Sequence, residues 1–94
     1  MNVVLKKQLK NEMTDKELKY LLKRDYLRRL TRYRMTDDYY RAKYEMDFDN
    51  FEKANIVRDQ NYSFEVESHA QEWEVAIDGI KTIKKKLKEL SRET

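Results

Sequence analysis

The sequence predicts an all-α fold, either a small three- to four-helix bundle or an elongated helical hairpin. Three observations lead there. The 94 residues include no proline and one glycine, and an all-β chain needs such residues at its many tight turns. Apolar side chains recur at steps of three and four over long stretches, the period of one helix face. Charged residues make up 41% of the chain and hydrophobic ones 39%. That balance gives a thin core on half-exposed helices and no thick sandwich.

The first predicted helix spans residues 14–35. Thr14 and Glu17 form a capping box, in which the hydroxyl accepts the residue-17 amide and the carboxylate reaches back. Leu18, Leu22, Tyr26, Leu30 and Tyr33 then make the apolar stripe. On another face Arg24, Arg28 and Arg32 repeat at i, i+4 and i+8, with Lys23, Arg29 and Arg34 beside them. Ahead of this helix, Val4, Leu5, Leu9 and Met13 have the spacing of a short leading helix over residues 1–13.

A second helix is expected over residues 37–54, after a break at 35–37; the rival is one long rod, since the apolar positions stay nearly in phase across the junction and no glycine or proline interrupts it. Thr36 is a capping residue type, and Asp37 and Asp38 suit the positive end of a helix dipole. Tyr40, Tyr44, Phe48 and Phe51 supply an aromatic stripe. The segment NIVRDQNYS, residues 55–63, is rich in side chains that compete with the helical backbone and is read as a loop.

The third helix is expected over residues 64–91. Val66, Trp73, Ile80 and Leu87 occupy one heptad position, and His69, Ala76, Ile83 and Leu90 the partner position. Such a face packs against another helix, within the chain or across a homodimer. A rival reading places a β-hairpin turn at Asp78-Gly79, because apolar residues alternate on both sides of it. Helix-favouring flanks outweigh that reading, since Gly79 costs a helix only about 1 kcal/mol relative to alanine.

The net charge of +3 conceals a plus–minus–plus layout. Residues 1–36 balance at +7, residues 37–79 at −8 and residues 80–94 at +4. The chain lacks cysteine, which excludes disulfides and thiolate sites. Its apolar runs are too short for a membrane span or a signal-peptide core. A single cytoplasmic domain is therefore expected.

Three surfaces emerge as candidates. Lys23, Arg24, Arg28, Arg29, Arg32 and Arg34 could contact nucleic acid or an acidic partner, because cationic side chains neutralise phosphates and carboxylates alike. Their bland reading is solvation, or pairing with the acidic block. Asp47, Asp49 and Glu52 could contact a basic partner, while serving equally as a solvated helix face. Val66, Trp73, Ile80, Ile83 and Leu87 form the helix-packing or dimer contact, and Trp73 is read there as core before anchor.

Enzymatic signals are missing from the pattern. Asp47-x-Asp49-Asn50 begins like a calcium loop, but Glu52 and Arg58 stand where glycine and glutamate belong. Glu65, His69 and Glu72 share a helix face without the spacing of a bundle-type carboxylate site. His69 is read instead as a polar step that helps set helix register. No nucleophile–base pair or phosphate-binding glycine loop is visible, so neither catalysis nor a cofactor is expected. The expected function is a non-enzymatic regulator or adaptor acting by protein–protein contact through oppositely charged helical surfaces. The alternative is nucleic-acid binding by helix 14–35.

Overall fold

A computed structural model describes residues 14–92, so the leading segment 1–13 lies outside the described residues. Among the described residues four helices follow one another: α1 (Asp15–Tyr44), α2 (Phe48–Lys53), α3 (Ile56–Asp59) and α4 (Phe64–Arg92). No strand occurs among the described residues. The two long helices pack side by side as a helical hairpin, and α2 and α3 close one end of it. The shape is a rod of 55 × 26 × 16 Å with a radius of gyration of 17.9 Å. A compact domain of this length would measure roughly 12 Å.

The helix cap expected at Thr14 forms, with the Glu17 carboxylate reaching back to the Thr14 hydroxyl. The Thr14 hydroxyl accepts the Glu17 amide at 3.1 Å and donates to the Glu17 carboxylate at 3.1 Å. The break expected at 35–37 does not. One helix of 30 residues runs from Asp15 to Tyr44. The Thr36 hydroxyl turns back to donate to the Arg32 carbonyl at 3.3 Å, a bond available inside a helix. Asp37, read as a helix-start residue, points into the interhelical face and is buried. The chain breaks later, where Glu45 takes a left-handed conformation (φ 55°) and Asp47 accepts the Asn50 amide at 2.8 Å to cap α2. The basic segment and residues 37–44 of its expected partner are thus one continuous helix, and residues 45–54, with Glu45, Asp47, Asp49 and Glu52, lie beyond its end.

Residues 55–63 contain the short α3 between left-handed residues Asn55, Asn61 and Tyr62. The Ser63 hydroxyl then accepts the Val66 amide at 3.2 Å and starts α4. That helix passes through Asp78-Gly79 without interruption, so the hairpin-turn reading falls. Glycine has a packing reason there. A β-carbon at position 79 would stand 2.5 Å from Cε2 of the Tyr33 ring, which lies directly on the helix backbone.

The core sits at the closed end. Trp73 and Phe51 are completely enclosed, and Leu30, Tyr40, Ala76 and Ile83 are buried along the seam. The rings of Tyr40, Tyr44, Phe48 and Phe51 all lie within 6.0 Å of the Trp73 ring, centroid to centroid. Tilted and offset aromatic pairs of this kind add to the area they bury. The aromatic stripe of the sequence is therefore the wall around one tryptophan.

Candidate interaction surfaces

Cross-helix contacts fix the direction and register of the hairpin. The Trp73 indole N–H donates to Asp37 Oδ1 at 2.8 Å. The Tyr40 hydroxyl donates to Glu72 Oε2 at 2.6 Å, and the Tyr44 hydroxyl bonds His69 Nδ1 at 2.7 Å. Further along, Tyr33 meets Gly79 and the Lys86 ammonium sits 5.8 Å from the Tyr26 ring centroid. As numbers fall along α1 they rise along α4, so the helices are antiparallel. Residues near 36 stand level with residues near 77.

That register rearranges the charge. The two basic segments, far apart in sequence, meet at the open end of the hairpin. There residues 14–36 carry eight Lys/Arg and three Asp/Glu, and residues 80–92 carry six and one. The closed end, residues 37–79, holds four Lys/Arg and twelve Asp/Glu. Plus–minus–plus along the chain becomes a rod with a positive half and a negative half.

Lys23, Arg24, Arg28, Arg29, Arg32 and Arg34 are all exposed on α1. They are not equivalent. Asp25 holds Arg28 at 3.1 Å and Arg29 at 3.0 Å, and the Arg24 guanidinium lies 5.8 Å from the Tyr20 ring centroid. Lys23, Arg32 and Arg34 have no ion pair among the described residues.

The acidic candidates come together with others from α4. Asp47, Asp49 and Glu52 line a groove of about 410 Å³ with Glu74 and Asp78, over a floor of Phe48 and Ile77. Arg41 and Lys81 also border it and temper its charge. Asp47 is occupied as the α2 cap, and Asp49 pairs with Lys53 at 3.1 Å. Glu52 is exposed.

The heptad candidates face α1 within the chain. Trp73 and Ile83 are buried there, leaving neither any surface for a second chain, while Val66, Ile80 and Leu87 are half-buried. His69 and Glu72 are engaged by tyrosines, which removes two members of the Glu65–His69–Glu72 face from a common ligand position. Arg41 completes the polar seam by pairing with Asp37 at 3.2 Å. Burial, and then the neighbouring Glu72 carboxylate, pushes the Tyr40 hydroxyl well above its ordinary pKa. Burial, and then the Glu65 charge, raises that of Tyr44.

A further surface escapes a reading by single stripes. A groove of about 520 Å³ opens between α1 and the last turns of α4. Lys16, Lys19 and Lys23 line it with Tyr20, Leu27, Leu87 and Leu90. Its signal in the sequence is Tyr20 and Leu27, seven residues apart and off the main stripe, flanked by lysines at i, i+3 and i+7.

No protein-family model matches the chain, and no curated protein or solved structure is significantly similar to it. No helix among the described residues is long and apolar enough to cross a membrane.

Proposed function

We propose that this protein is a non-enzymatic regulator or adaptor of the cytoplasm, acting by protein–protein contact through oppositely charged ends of a helical rod. The observation that carries this reading is the antiparallel register, which gathers two basic segments at one end and leaves the acidic segment at the other. Complementary potentials speed encounter and fix orientation. A rod with separated ends can engage two oppositely charged proteins, or one protein with matching patches. Affinity purification from the cell of origin tests it. Asp49→Lys with Glu52→Lys, or Arg32→Glu with Arg34→Glu, should abolish capture of a partner while leaving the helical circular dichroism intact. Capture indifferent to both pairs would refute the reading.

The exposed arginines favour a second reading, nucleic-acid binding along residues 14–35. Arg24→Ala, Arg28→Ala and Arg32→Ala should then each lower affinity for a duplex and flatten its salt dependence. Against it stand the Asp25 carboxylate shared by two of these side chains and the acidic half of the same rod, which repels phosphate. A mobility shift that is absent, or insensitive to salt, would remove this second reading.

A further inference from the structure

We infer that the groove at the open end of the hairpin docks an acidic amphipathic helix of a partner protein. The inference rests on the protein-binding reading above and names the chemistry of the partner for the basic end. The floor is apolar and unfilled among the described residues. Leu27 is 44% exposed and Tyr20 61%, and Leu87 and Leu90 complete the floor from α4. An apolar depression between two helices offers a third helix the same ridge-and-groove packing that joins the first two. The α1 residues that line it span positions 16–27, about three helical turns. That length suits a partner helix with apolar side chains at i, i+3 or i+4, and i+7.

The rim decides the sign of the partner. Lys16, Lys19 and Lys23 border the groove without an ion pair among the described residues. The surrounding half of the rod has fourteen Lys/Arg against four Asp/Glu over residues 14–36 and 80–92. Glutamates and aspartates flanking an apolar ridge satisfy rim and floor together. The chain's own leading segment fits the rim poorly, because residues 1–13 carry three lysines and one glutamate. Nucleic acid fits the floor poorly, since its three leucines offer bases no aromatic face and the Arg24 guanidinium already lies 5.8 Å from the Tyr20 ring centroid. The arginines Arg24 and Arg28 border a separate depression with Leu21 and Asp25.

The test uses a fluorescein-labelled synthetic helical peptide of about five turns, with leucines on one stripe and glutamates around it, followed by anisotropy. The 94-residue protein should bind it. Leu27→Glu should weaken binding by at least ~10-fold, and so should Lys16→Glu with Lys19→Glu and Lys23→Glu. Lys43→Ala with Arg58→Ala, two exposed cations at the closed end, should leave it unchanged. Leu27 and the lysines are exposed, and circular dichroism of each variant confirms that the fold is kept. A peptide with alanine for leucine should bind at least ~10-fold more weakly, since the apolar ridge is then gone.

No binding of the leucine–glutamate peptide, or equal binding of the alanine peptide, would overturn the inference. So would tighter binding to duplex DNA or to phosphatidylglycerol vesicles that Leu27→Glu abolishes. Sedimentation to a higher mass, reversed by Leu27→Glu while the peptide fails, would assign the groove to a second copy instead. The two levels separate cleanly. Cellular capture that survives Leu27→Glu but is lost on reversing Asp49 and Glu52 would sink the groove and keep the protein-binding function. Peptide binding without any charge-dependent cellular capture would do the opposite.

Discussion

Gly79→Ala provides a sharp test of the packing that sets the hairpin register. In an open helix this change gains about 1 kcal/mol, because glycine loses more backbone freedom on folding. Here the new methyl would meet Tyr33 carbons at 2.5 and 2.6 Å, about 1 Å inside a relaxed carbon–carbon contact. Relief requires the half-buried ring to swing away from the seam, and overpacking of this kind costs about 1–3 kcal/mol. The two effects oppose each other, so the single variant should be neutral to destabilised by about 2 kcal/mol. In a Tyr33→Ala background the clash is gone and the gain of about 1 kcal/mol returns. Urea denaturation of the four proteins in this double-mutant cycle gives the coupling directly, with an expected size of about 1–3 kcal/mol. An equal gain from Gly79→Ala in both backgrounds would refute the Tyr33 contact and the register built on it.

Three more outcomes follow from the polar seam and the helix ends. Asp37→Ala should cost about 2–3 kcal/mol in urea denaturation, because it strands the Trp73 indole N–H in a buried site; a loss below about 0.5 kcal/mol would contradict this role. Glu45→Gly should gain about 1 kcal/mol, since Glu45 ends α1 in a left-handed conformation that glycine adopts freely, and differential scanning calorimetry should show a rise of about 4–8 °C. Alkaline titration should weaken the fold. The raised pKa values of Tyr40 and Tyr44 mean that their stabilisation is complete below the unfolded value of 10.0 and is lost as pH climbs above it. Tyr40→Phe should flatten that decline, and an unchanged alkaline slope in denaturation midpoints would argue against the Tyr40–Glu72 contact.

Helix α4 was legible in the sequence because its heptad repeats four times, and repetition outweighs one glycine and one turn-forming dipeptide. The Thr14 cap was legible because both partners lie within one turn. Thr36, Asp37 and Asp38 misled for the same local reason. They carry a start signal, but the residue that recruits Asp37 is Trp73, 36 positions away, and no local rule reports it. The charge layout could be read as three blocks along a line. Its meaning needed the antiparallel register, which turns the two outer blocks into neighbours. The lysine-rimmed groove stayed hidden because Leu27 and Leu87 belong to different helices and become one surface only when those helices pair.

The protein-binding reading and the groove at the basic end both depend on residues near 24 and near 89 being brought together. Pulsed electron–electron resonance between spin labels on Arg24→Cys and Glu89→Cys measures this directly, since the chain has no other cysteine. Helices paired at the usual 8–10 Å separation, with label arms added, should give a single distribution centred below roughly 30 Å. A distribution centred beyond roughly 40 Å, as for helices splayed or running on as one rod, would contradict the antiparallel hairpin and the charge separation it creates.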